Sequence, residues 1–82
     1  MIVNRRGLHA RAAAKFVKVA EQFVANVEVA KDDMVVPGTS IMGLMVLAAA
    51  TGAELEIRAR GREAKAAVAA LVALVERGFD ET

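Results

Sequence analysis

The segment "ELEIRAR", Glu54–Arg60, decides the fold class. Side chains of an extended chain point to opposite sides in turn. Leu55, Ile57 and Ala59 therefore share one side, and Glu54, Glu56, Arg58 and Arg60 the other. Such alternation implies an antiparallel sheet with one packed face and one solvated face. "ANVEVAK", Ala25–Lys31, alternates in the same way, with Val27 and Val29 on one side. Asp32 and Asp33 suit a tight turn, "MVV" returns as a short strand, and Pro37 and Gly38 end it.

The remaining apolar residues follow helical spacing. Ala13, Phe16, Val17, Ala20 and Phe23 predict a helix from about Ala10 to Phe23 with one core-facing stripe. Thr39 or Ser40 caps a short helix through about Ala48, and Thr51 and Gly52 make the next turn. Gly61 leads into a last helix with Val68, Leu71, Val72 and Val75 as its stripe. Gly78 stops that helix, with Phe79 folding back. Ile2 and Val3 read as the stub of a first strand, followed by a loop from Asn4 to Leu8. The order is β-α-β-β-α-β-α, an α+β fold with a four-stranded antiparallel sheet and three helices on one face. The 82 residues are expected to form one domain, 1–82, with a modest core.

Composition excludes several classes of function. The chain has no cysteine and one histidine, so neither a disulfide framework nor a zinc site is expected. No apolar run reaches the roughly 18–20 residues of a membrane span, and the start lacks the order of a signal peptide. A cytoplasmic protein without membrane insertion is expected. The net charge of +1 hides an asymmetry: residues 1–20 sum to +5 and the rest to −4. A cationic end suggests an anionic partner: nucleic acid, phosphate or an acidic protein surface. Nucleic acid is disfavoured as that partner. No Tyr or Trp accompanies the basic residues, the three Phe fall at core-like positions, and no nucleic-acid motif is present.

The single histidine, His9, stands just before the first helix. It is either a loop or capping residue, or a functional imidazole. A helix N-terminus favours anions, Arg11 lies two residues on, and the neighbours are small. A phosphorylated imidazole would gain from both Arg11 and the helix end. Ala10, Ala14 and Lys18 share one face of this helix, leaving part of its outer surface smooth. The segment "SIMGLMVLAA", Ser40–Ala49, carries two apolar stripes where one is needed. If Leu44, Leu47 and Ala48 pack on the sheet, Ile41, Met42 and Met45 are exposed as a patch suited to docking. Ser40 is a helix cap, and also a position where a phosphoryl group would block that patch.

"NRRGLHARAAAKFV", Asn4–Val17, together with "GTSIMGLMVLAA", Gly38–Ala49, resembles the HPr family of histidine-containing phosphocarriers of the bacterial phosphotransferase system. The resemblance covers nearly the whole chain and implies an open-faced β-sandwich. It implies that His9 takes phosphate on Nδ1 from phosphorylated enzyme I and passes it to an EIIA domain. Arg11 would steady the phosphoryl group. Ser40 matches a serine modified in some bacteria by HPr kinase/phosphorylase. Ala10, Ala14, Lys18, Ile41, Met42 and Met45 match a docking surface shared by the partners. No cofactor and a monomeric carrier are implied, rather than a stand-alone enzyme. Ala12 replaces a proline common in the family, and the first strand is shortened. The second motif resembles members of the nitrogen-related branch as much as those of the sugar branch. A regulatory module of the same fold, in which His9 is never phosphorylated, is the alternative.

Overall fold

The computed structural model describes residues 9–47 and 54–80. Helix α1 spans Ala10–Ala20, strand β1 Asn26–Lys31, strand β2 Met34–Pro37, helix α2 Ile41–Val46, strand β3 Glu56–Arg60 and helix α3 Ala64–Glu76. A single 3₁₀ turn, Gly78–Asp80, follows. The described sheet has three antiparallel strands in the order β2-β1-β3. The stub at Ile2 and Val3, read as a fourth strand, lies outside the described residues, as do the loop at 4–8, Ala48, and the turn at Thr51 and Gly52.

Register places Val27 opposite Ala59 and Val29 opposite Ile57, so both strands offer small and branched apolar side chains to one layer. Glu28 faces Arg58 and Asn26 faces Arg60 on the other side. The alternation read from "ELEIRAR" thus describes β3: Leu55, Ile57 and Ala59 pack on the core while Glu56, Arg58 and Arg60 are exposed. Arg58 pairs with Glu56 along the same face. That hydrogen bond and charge, with Glu28 adding a smaller share, hold the guanidinium above its ordinary pKa.

The core joins the sheet's inner face to all three helices. Phe16 of α1, Val29 of β1, Leu44 of α2, Leu71 and Leu74 of α3, and Phe79 are its largest fully buried side chains. Three expectations need correction. Helix α1 ends at Ala20 rather than Phe23, because Gln22 and Phe23 donate to carbonyls only three residues back. Phe23 still packs against the core, from the turn. The segment is pinned there: Glu63 donates its N–H to the Val24 carbonyl at 2.9 Å and accepts from the Val24 N–H through its carboxylate at 2.7 Å. Helix α2 ends at Val46, with Leu47 as its cap. The buried stripe of α3 is Ala67, Leu71, Leu74 and Val75, and Val72 is exposed. That helix is apolar on most sides, so its periodicity leaves neighbouring stripes nearly equivalent.

Two glycines are required by backbone. Gly78, at φ 67°, turns the chain out of α3 and lets buried Phe79 fold back. Gly38 donates to the Val27 carbonyl at 2.7 Å, and a Cβ there would lie 2.5 Å from Val27 Cγ1. Gly38→Ala is therefore expected to cost about 1–3 kcal/mol through overpacking. For a domain of this size each kcal/mol lowers the melting temperature by roughly 4–8 °C. Thermal unfolding followed by circular dichroism checks this. An unchanged melting temperature would show that Val27 yields without cost.

Candidate functional site

The start of α1 is built on His9. Its backbone is extended, at φ −92° and ψ −179°, so it stands outside the helix as the N-cap. Its carbonyl accepts the Ala13 N–H at 2.8 Å, the first bond of the helix ladder. Its side chain does a second job: Nδ1 accepts the Arg11 N–H at 3.2 Å. The first amides of a helix lack carbonyl partners within it, and a capping side chain satisfies one of them. A ring nitrogen that accepts carries a lone pair, so this hydrogen bond assigns the proton of the neutral ring to Nε2. The half-buried imidazole therefore turns Nδ1 toward an amide of the helix end.

Arg11 is exposed in the same first turn. Ala12 and Ala13 are wholly buried beneath it. Ala12 lies outside the core stripe expected from the sequence, although its spacing of four from Phe16 puts it on the same face. Ala10, Ala14 and Lys18 are exposed along one line of α1, as their spacing of four requires. Lys15 serves a different purpose. Its ammonium donates to the Phe79 carbonyl at 2.7 Å, tying α1 to the turn after α3. Nothing in the local sequence links these two residues, which lie 64 positions apart.

Helix α2 supplies the second set of residues and packs against α1. Ser40 is its N-cap, with Oγ accepting the Gly43 N–H at 2.9 Å. Gly43 sits close under this hydroxyl: a Cβ would lie 3.0 Å from Ser40 Oγ and 3.1 Å from Val36 Cβ. Leu44 and Leu47 are buried. Ile41 and Met45 are each 40% exposed and Met42 is 74% exposed. The two stripes read from the sequence are thus divided between core and solvent. Val46, 60% exposed, extends the outer one; it was missed, although it follows Met42 by four. The far end of α2 is held by Lys31, whose ammonium donates to the Leu47 carbonyl at 3.1 Å.

The structure thus brings a capping imidazole and an exposed arginine together at one helix start, with apolar side chains exposed on the neighbouring helix. Among the described residues no group of three or more His, Cys, Asp or Glu side chains is placed to hold a metal ion. No described helix is long and apolar enough to cross a membrane.

The family model described as PTS HPr component phosphorylation site matches residues 1–77. Phosphocarrier protein HPr of Neisseria meningitidis serogroup A is 48% identical over 80 residues, covering 98% of this chain and 90% of that protein. Phosphocarrier protein NPr of Shewanella violacea is 36% identical over 80 residues, covering 98% and 88%. The crystal structure of HPr-C-His from Thermoanaerobacter tengcongensis superposes with a TM-score of 0.93 at 42% identity, covering 99% of this chain and 91% of that one. Family model, sequence relatives and superposed fold agree over nearly the whole length, and this chain belongs to the HPr family of phosphocarriers.

Proposed function

We propose that the chain is a cytoplasmic phosphocarrier that accepts a phosphoryl group on His9 Nδ1 from phosphorylated enzyme I and delivers it to an EIIA domain. The observation that carries this reading is the 3.2 Å hydrogen bond from the Arg11 N–H to Nδ1. It selects the nitrogen that holds the lone pair and sets it at the positive end of α1. In the transfer, that lone pair attacks phosphorus and the donor's bond to phosphorus breaks. The Arg11 N–H is then free to donate to a phosphoryl oxygen, and the Arg11 guanidinium is close enough in sequence to do the same. No proton has to leave Nδ1, because the ring carries its proton on Nε2. The product is a phosphoramidate whose release to the next acceptor repeats the step in reverse. The exposed faces of α1 and α2 — Ala10, Ala14 and Lys18 with Ile41, Met42 and Met45 — form the docking surface for both partners.

Ser40 is the regulatory position in this reading, modified by HPr kinase/phosphorylase where the host has one. A phosphoryl group on its Oγ would stand beside Ile41 and Met42. A docking partner would then have to desolvate a dianion against apolar side chains. Transfer would fall while the fold survives.

Three outcomes are expected. Incubation of the chain with phosphoenolpyruvate and enzyme I adds one acid-labile phosphate by intact mass, and His9→Ala abolishes it with unchanged far-ultraviolet circular dichroism. Undiminished labelling of that variant would sink the proposal. Arg11→Ala slows transfer by about tenfold or more, in line with the loss of a charged hydrogen bond worth roughly 1.5–3 kcal/mol, and leaves the melting temperature nearly unchanged. An early-melting variant with normal transfer would make Arg11 structural. Ser40→Asp keeps a capping oxygen but slows phosphorylation by enzyme I, whereas Ser40→Ala loses only the cap, about 1 kcal/mol of stability. Equal transfer rates for Ser40→Asp, for stoichiometric phosphoserine and for the unmodified chain would reduce Ser40 to a helix cap.

A further inference from the structure

The chain has no cysteine, so its four methionines hold all of its sulfur. Met42 and Met45 lie on α2, 74% and 40% exposed, in the apolar stripe next to Ser40. Met34 is 43% exposed but sits at the start of β2, at the edge of the described sheet. Exposed thioethers with no thiolate in the same chain to compete are the groups that a peroxide reaches first.

We propose that Met42, with Met45, is a site of reversible oxidation by peroxides that switches partner docking off. The inference rests on the docking role given to α2 above. The thioether sulfur attacks one oxygen of hydrogen peroxide, forming an S–O bond as the O–O bond breaks. Sulfur loses two electrons, and the other oxygen leaves as water after taking up a proton. The product is a sulfoxide, a strong hydrogen-bond acceptor on what had been an apolar, adaptable surface. A partner covering it must strip water from that oxygen without offering a donor in return. The fold is not at risk, because Met42 contributes little to the core and Leu44 and Leu47 hold the inner side of α2. Thiol-dependent methionine sulfoxide reductases return the sulfoxide to the thioether, so the change is reversible.

The test uses the full chain, treated with hydrogen peroxide, quenched with catalase and desalted before enzyme I and phosphoenolpyruvate are added. Peptide mass mapping locates each added oxygen. The rate of phosphate gain is compared with that of the same protein untreated. Wild type is expected to carry sulfoxide at Met42 and to slow by about tenfold, the size of an unpaired polar group at a covered surface. Met34→Leu should slow equally. The double variant Met42→Leu, Met45→Leu should keep its own untreated rate through the same treatment. Reductase treatment should restore wild type. The proposal is overturned if Met42 is fully oxidised and the wild-type rate is unchanged. It is also overturned if the double variant slows as much as wild type, or if Met42 stays reduced while Met34 oxidises. Untreated Ile41→Lys separates this from the docking role itself: a normal rate there removes the docking surface, and the switch with it, whereas a slow rate with a silent sulfoxide removes only the switch.

Discussion

The inner face of α1 is the contact on which the rest of the molecule depends. Ala12, Ala13, Phe16, Val17 and Ala20 meet Val29, Leu44, Leu71 and Phe79 in one core. The two alanines beside the helix start are fully buried, and a bulkier residue at either would lift that end from the core. Because α1 is seated there, its first turn has a fixed position, and so does the imidazole that caps it. The ammonium of Lys15 secures the same helix to the Phe79 carbonyl, so the helix that His9 caps and the end of the described chain are held in one unit.

This arrangement separates stability from chemistry within a few residues. Along α1, buried Phe16 and Val17 alternate with exposed Ala14 and Lys18. Along α2, buried Leu44 stands beside exposed Met45. Changes to the outer residues alter what the surface meets, and changes to the inner ones alter whether the surface exists. His9 and Ser40 belong to both sets. Each caps a helix with a side-chain atom, Nδ1 or Oγ, that in the proposed function also takes a phosphoryl group. A phosphoryl group at either atom competes with an existing hydrogen bond, and the amide that donated it can turn to the new oxygens.

Much of this was legible in the sequence. The strands at Val27 and Ile57 declared themselves by strict alternation, and Ser40 by its place before an apolar run. The stripe of Ile41, Met42 and Met45 stood out because one short helix carried more apolar residues than one buried side requires. His9 was conspicuous as the one imidazole, next to Arg11 at a helix start. The motifs from Asn4 to Val17 and from Gly38 to Ala49 already pointed to the family.

What the sequence determined by itself was local: element type, the polar and apolar sides of β3, and the residue types gathered at the first helix start. Those follow from the period of the backbone and from capping, which act over a few residues. The tertiary structure decided which of several equivalent choices was used. Helix α3 turned Leu74 inward and Val72 outward because the sheet and α1 press on one side of a helix that is apolar nearly all round. Helix α1 gives way to a tighter turn after Ala20, and Glu63, far along the chain, holds the backbone of Val24 just beyond that turn. Lys15 and Lys31, two cations among many in the sequence, became clamps on Phe79 and Leu47 because folding set those carbonyls within their reach.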